Sequence, residues 1–142
     1  MILTDTGFWL ALINKRDKHH QKAISFISSC EESLVTTWPV ITETCYMLGR
    51  ALGVQSQTQF LQLIKSDLLS VANISSAHIG VIEILMIKYA DLPMDLADAS
   101  LVMLAEEVGH GRILSTDQRD FRTYRWKNHK PFENLLLPDD RQ

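Results

Sequence analysis

A short, mostly parallel β-sheet flanked by helices is the α/β fold that this sequence predicts, and three observations carry the assignment. Short apolar runs at Ile2-Leu3-Thr4, Ser33-Leu34-Val35-Thr36-Thr37, Leu68 to Ile74 and Arg112-Ile113-Leu114-Ser115-Thr116 alternate with stretches of helical periodicity. The gap from Asp5 to Leu34 is long enough for a helical crossover, so successive strands can run parallel. A chain of 142 residues, 46% hydrophobic and 22% charged, suits one globular domain over 1–142, with 137–142 expected as a flexible tail.

Taken in order, Ile2-Leu3-Thr4 is a buried strand ending at Asp5, and Phe8 to Ile13 is a short helix broken by Asn14-Lys15-Arg16-Asp17-Lys18. Ala23, Ile24, Ile27 and Cys30 recur at helical spacing after His19. The strand at Ser33 to Thr37 precedes Pro39, which suits the first turn of a helix because its missing N–H costs nothing there. That helix places Ile41, Cys45, Leu48 and Leu52 on one face and stops at Gly53. A helix over 54–66 turns Phe60, Leu63 and Ile64 inward. Leu68 to Ile74 is the third strand, and a helix follows over 76–89. Pro93 to Val108 is the next helix, ended by Gly109 and Gly111, and Arg112 to Thr116 is the fourth strand, ending at Asp117. Beyond Phe121 the pattern weakens, with one more short strand expected within 131–137.

The net charge of −3 does not advertise a nucleic-acid binder. It is unevenly spread, however: Arg119, Arg122, Arg125, Lys127 and Lys130 face one acid, Asp120, within 119–130. Two cysteines, Cys30 and Cys45, in helix-like apolar patterns read as buried free thiols rather than a disulfide framework. No apolar run has the length of a membrane span, and the first residues carry no basic n-region. A soluble protein of the reducing cytoplasm is expected.

The chemistry lies in the carboxylates. Asp5 and Asp117 each close an apolar strand, and open α/β sheets bind ligands outside those strand ends. Capping of the following helix or turn is the alternative for each. On the 94–108 helix, Ala97, Leu101, Leu104, Ala105 and Val108 make one apolar face, with Met103 opposite. Asp98 falls roughly 70° from the centre of that face and Asp95 roughly 130° away. Asp98 is thus a half-buried acid near a helix N-terminus that wants a partner, and Asp95 a cap or outer group. Glu43 lies off its helix's apolar face, where a solvated glutamate is the simpler reading. Clustered carboxylates without His or Cys partners imply a hard cation, Mg²⁺ or Mn²⁺, and phosphodiester hydrolysis is the reaction that fits.

In this order, Ile2-Leu3-Thr4-Asp5-Thr6, Thr42-Glu43, Asp95-Leu96-Ala97-Asp98-Ala99-Ser100-Leu101-Val102 and Leu114-Ser115-Thr116-Asp117 with Phe121 resemble the PIN-domain ribonucleases. Within that group the resemblance is to the VapC-type toxins of bacterial toxin–antitoxin pairs, and it spans nearly the whole chain. It implies a three-layer PIN-like fold and an endoribonuclease dependent on Mg²⁺ or Mn²⁺. It also implies that Asp5, Glu43, Asp98 and Asp117 are the acidic site. Asp5, Asp98 and Asp117 would hold the ion, with Glu43 orienting water or acting as base. Thr6 and Thr116 match the small polar residues beside the first and last acids, and Asp95 and Asp120 are additional acids. A homodimer and an inhibiting antitoxin protein are implied partners, alongside the RNA substrate.

The basic residues Arg119, Arg122 and Arg125 interleave with Phe121, Tyr124 and Trp126. That alternation suits RNA, with cations on phosphates and rings under bases, and Arg119, Arg122, Arg125 and Trp126 are its candidate contacts. An edge or dimer contact with packed rings is the competing reading. His19 and His20 point about 100° apart on a helix, which favours a helix start over a shared ion. A phosphatase with Asp5 as nucleophile is disfavoured because Gly7 stands where a second aspartate is wanted. A non-toxin nuclease or a PIN-like binding module without catalysis remains the other alternative.

Overall fold

The computed structural model describes residues 1–138. One sheet is built from five strands, β1 (Ile2–Thr4), β2 (Leu34–Thr37), β3 (Leu69–Ala72), β4 (Arg112–Leu114) and, after a separate two-stranded ribbon, β7 (Glu133–Asn134). Their order is β3-β2-β1-β4-β7, and every neighbouring pair is parallel. Strand order reverses between β1 and β4, which opens a crevice where Asp5 and the segment after Leu114 leave the sheet. Leu3, Val35 and Ile113 point to one face, while Ile2, Leu34, Leu69 and Leu114 point to the other. This is the period-2 alternation of a sheet buried on both sides.

Helices α1 (Thr6–Ile13), α2 (His20–Ser29), α3 (Trp38–Ala51) and α4 (Val54–Lys65) supply one covering layer. Phe8, Trp9, Ala23, Ile41, Leu48 and Phe60 are its buried apolar residues. The other layer is α5 (Ile79–Lys88), entered through a 3₁₀ turn at Ser76–His78, and α6 (Leu96–Val108). Pro39 lies in the first turn of α3, as its missing N–H predicts. His19 is the residue before α2, and the His20 ring nitrogen Nδ1 lies 2.7 Å from the Ala11 carbonyl, so the pair starts a helix.

Helix α6 begins at Leu96 rather than Pro93, because Asp95 is its N-cap: the Asp95 carboxylate accepts from the Asp98 N–H at 2.8 Å. It ends at Gly109, whose φ of 82° is the left-handed conformation that glycine adopts without strain. The helix is more enclosed than one apolar face requires, since Ala97 and all residues from Ala99 to Ala105 are buried. Met103, expected outward, is 2% exposed.

The weak pattern beyond Phe121 resolves into three pieces. A six-residue helix, α7 (Gln118–Thr123), precedes a two-stranded antiparallel ribbon of β5 (Arg125–Trp126) and β6 (Lys130–Pro131). The ribbon turns through Lys127 and Asn128, both at positive φ. Strand β7 then joins the edge beside β4, inside the expected 131–137 segment. Leu137, expected in a flexible tail, is 6% exposed and belongs to the core beside α1 and α4. Residues 139–142 of that tail lie outside the described residues.

Candidate active site

The crevice at the strand-order reversal gathers the acids from four elements. Asp5 follows β1 and caps α1, accepting from the Thr6 N–H at 2.7 Å through one oxygen and from the Ser115 hydroxyl at 3.1 Å through the other. It is buried, and its own N–H donates to the Leu114 carbonyl, which holds the ends of β1 and β4 together. Asp117 follows β4 and caps α7 by accepting from the Asp120 N–H at 3.1 Å. The capping reading therefore holds for each aspartate, and the two lie close enough for the Asp117 charge to act on Asp5.

Ser115 ties the two together. Its hydroxyl donates to Asp5 and accepts from the Asp117 N–H at 2.9 Å. Asn134 on β7 pins the Ser115 backbone, its side-chain amide donating to the Ser115 carbonyl at 2.9 Å. The linking hydroxyl is thus Ser115, a residue the sequence marked only as strand. Thr116, expected as the polar neighbour of Asp117, instead packs on Gly7. A Cβ at Gly7 would overlap the Thr116 Oγ1 and stand 3.2 Å from its Cβ. The absent side chain lets α1 and the loop before α7 meet.

Glu43 enters from α3, two turns after Thr37, and is half-buried. Thr6 donates its hydroxyl to Glu43 at 3.3 Å, so the first acid's neighbour holds the second acid in the site. Asp98 enters from the first turn of α6, where it is half-buried and accepts from the Tyr124 phenol at 2.9 Å. Behind it, the Ser100 and Thr37 hydroxyls meet at 2.6 Å and lock α6 to the end of β2. Asp95 is exposed on the rim, as the helix angles indicated. Asp120 is buried, with Arg119 3.3 Å from its carboxylate.

Proximity and burial together push these acids toward their neutral forms. Burial raises the Asp98 carboxyl to about 8, with the charges of Asp5, Asp95 and Asp117 adding to the rise and the Tyr124 hydrogen bond opposing it. Burial likewise raises Asp5 to about 7, against its hydrogen bonds from Thr6 and Ser115 and with help from Glu43 and Asp117. Glu43 is shifted upward by burial and then by Asp95. Asp117 is shifted upward chiefly by burial. Among the described residues no three His, Cys, Asp or Glu side chains are drawn in around a common point. The acids are near enough to repel but stand apart. An all-oxygen donor set with uncompensated negative charge fits a hard divalent cation, and Asp5, Asp98 and Asp117 could hold one.

The aromatic side chains of the 119–130 segment turn inward, in keeping with the packed-ring alternative and not with base stacking. Phe121, Tyr124 and Trp126 are all buried, and the Trp126 indole donates to the Pro131 carbonyl at 3.0 Å. Lys127 and Lys130 lie over the Trp126 ring. Arg119 and Arg122 are exposed on α7 and line the cleft that contains Thr116 and Asp117. Arg125 uses its guanidinium to cap the α7 carbonyls of Arg122 and Thr123 at 2.6 and 3.3 Å. Tyr124 was legible in the sequence only as one ring among several, and nothing local marked it as a partner of Asp98.

A parallel sheet with acids converging at its strand-order reversal defines a carboxylate-site α/β protein. The chain belongs to the PIN domain family, whose model matches residues 2–127. It is 27% identical over 124 residues to ribonuclease VapC26 of Mycobacterium tuberculosis, covering 87% of this chain and 92% of that one. Its fold is that of M. tuberculosis VapC20, described as a sarcin-ricin loop cleaving toxin. The TM-score is 0.78 at 20% identity, over 84% of this chain and 92% of that one. A toxin–antitoxin complex from Klebsiella pneumoniae superposes with a TM-score of 0.64 at 17% identity, over 87% of this chain and 92% of that one.

Proposed function

We propose that this PIN-domain protein is an endoribonuclease, the toxin of a toxin–antitoxin pair, that cleaves RNA phosphodiester bonds with Mg²⁺ or Mn²⁺. The observation that carries the reading is the set of acids at the strand-order reversal, Asp5 and Asp98 each feeling the charge of Asp117 and Asp5 also that of Glu43. Family membership and the ribonuclease and toxin names of its relatives support it.

A divalent cation held by Asp5, Asp98 and Asp117 would supply Lewis acidity toward the scissile phosphate and a readily deprotonated water. The chain's own part is placement. Ser115 spaces Asp5 from Asp117, and α6, tied to β2 through Ser100, carries Asp98. Glu43, held by Thr6, is the acid suited to orient water and accept its proton. Asp95, on the rim, acts through the α6 cap rather than as a ligand. Arg119 and Arg122 on the α7 surface, beside Asp117, are placed for RNA phosphates.

The partners in this reading are RNA, an antitoxin protein that blocks the site, and a second copy of the chain. Apolar side chains exposed on α5, with Ile84 at 66% and Ile87 at 70%, support the homodimer. No helix among the described residues is long and apolar enough to cross a membrane, and the proposed location is the cytoplasm.

Metal-free protein should gain cleavage of single-stranded or looped RNA on adding Mn²⁺. Asp5→Asn and Asp98→Asn should each lower that activity by at least ~100-fold while keeping the circular dichroism of the fold, because each removes a charge that no neighbour replaces. Full activity in purified Asp98→Asn protein would overturn the assignment.

A further inference from the structure

Tyr124 is fully buried, yet its hydroxyl reaches the site. Its ring meets Tyr89 edge-on at 5.0 Å and Phe121 at 5.2 Å, and Phe121 in turn meets Phe132 at 5.3 Å. The backbone is held on both sides of the residue. The Tyr124 N–H donates to the Asp120 carbonyl at 2.9 Å, and the next N–H, of Arg125, donates to the Tyr89 hydroxyl at 3.0 Å. The ring therefore has one position, and from it the phenol donates to Asp98 Oδ2 at 2.9 Å.

A phenol carries one O–H donor, and the 2.9 Å contact directs it at the Asp98 carboxylate. A hydrogen bond to a ligating carboxylate fixes which oxygen and which plane it presents, and outer partners of this kind govern metal affinity. Helix α7 connects this device to the rest of the site. Asp117 is its N-cap and Tyr124 its C-cap, so one short helix carries an acid at one end and the clamp on another acid at the other.

We infer that Tyr124 is a positioning residue that clamps the Asp98 carboxylate from inside the core and so sets the site's affinity for a divalent cation. The inference rests on the proposed cation site. It assigns to the segment after Phe121 a role other than RNA contact.

Tyr124→Phe keeps the ring and removes only the donor. Calorimetric titration of Mn²⁺ into the metal-free full chain should show binding about 10-fold to 100-fold weaker in Tyr124→Phe than in the unaltered protein. Tyr89→Phe is the comparison. It removes a phenol that steadies the Arg125 backbone but leaves the donor to Asp98 in place, so its loss of Mn²⁺ affinity should be clearly smaller than that of Tyr124→Phe. Equal affinities for Tyr124→Phe and the unaltered protein would overturn the inference, as would equal losses in the two variants, which would mark a general effect of loosened packing. Absence of Mn²⁺ binding by the unaltered protein would instead overturn the cation site itself. Thermal melts of both variants establish that the titrated protein is folded.

Discussion

At the scale of single residues, a glycine decides how close two acids stand. Gly7 allows the first turn of α1 to touch Thr116, one residue before Asp117 and two after Asp5. Gly7→Ala must push Thr116 aside or rotate it, and Ser115 transmits the shift to both acids. Cleavage should fall by about 10-fold with little change in global stability, since sub-ångström misplacement at a reacting centre is costly. Adding Thr116→Ala removes the overlapping oxygen and should recover part of the loss. A double-mutant cycle on kcat/KM measures the coupling, and strictly additive losses would contradict the contact. Asp5 and Asp117 were legible in the sequence because strand ends advertise themselves. Asp98 was legible from its angle on the helix. Glu43 was legible only through the family resemblance, because a helix glutamate off the apolar face has an ordinary solvated alternative and its partner Thr6 lies 37 residues away in the chain. Ser115 and Tyr124 escaped for the same reason. Their partners lie 110 and 26 residues distant, and no local spacing encodes such a contact.

At the scale of elements, α6 shows where periodicity stops being informative. One apolar face identifies a helix that rests on a sheet, but α6 is also packed by α5, α3 and β5. Those neighbours bury Met103 on the side that the helical angles leave open. Met103→Ala should therefore cost roughly 2–5 kcal/mol, the range for emptying a packed core site, and not the near-zero cost of an outward residue. Urea denaturation at a fixed pH measures it, and a cost below about 0.5 kcal/mol would contradict the burial. The four principal strands were recoverable from short apolar runs because the inner ones, β1, β2 and β4, are buried on both sides and the edge strand β3 keeps Leu69 in the core. The two-residue strands β5, β6 and β7 were blurred or missed, since two residues carry no period.

At the scale of the whole molecule, the acidic site sets how stability answers to pH. Asp5 and Asp98 titrate near 7 and near 8 in the folded chain against an ordinary value of 3.8. Between those values the folded chain retains protons that the unfolded chain has released, so stability declines as pH rises. The contribution is complete below about pH 4 and is gone by about pH 8. Metal-free protein should accordingly melt at a higher temperature at pH 5 than at pH 8 by scanning calorimetry, and Asp98→Asn should flatten the decline. A melting temperature that climbs across that interval, unchanged by Asp98→Asn, would contradict the burial of these charges. The net charge of −3 offered no hint of this response, because it counts acids without recording that several of them share one crevice.

The enclosure of α6 has a mechanical consequence. A helix packed by a sheet, two other helices and a ribbon, and exposed only near its ends at Leu96 and Glu107, has little room to slide, and close-packed interiors shift between discrete arrangements rather than deform smoothly. Its second turn is tied at Ser100 to the end of β2, and the Tyr124 phenol holds Asp98. The wall that carries Asp98 is therefore the stationary jaw of the crevice. The less confined side of the crevice is the solvent-facing surface of α7, on which Arg119 is exposed.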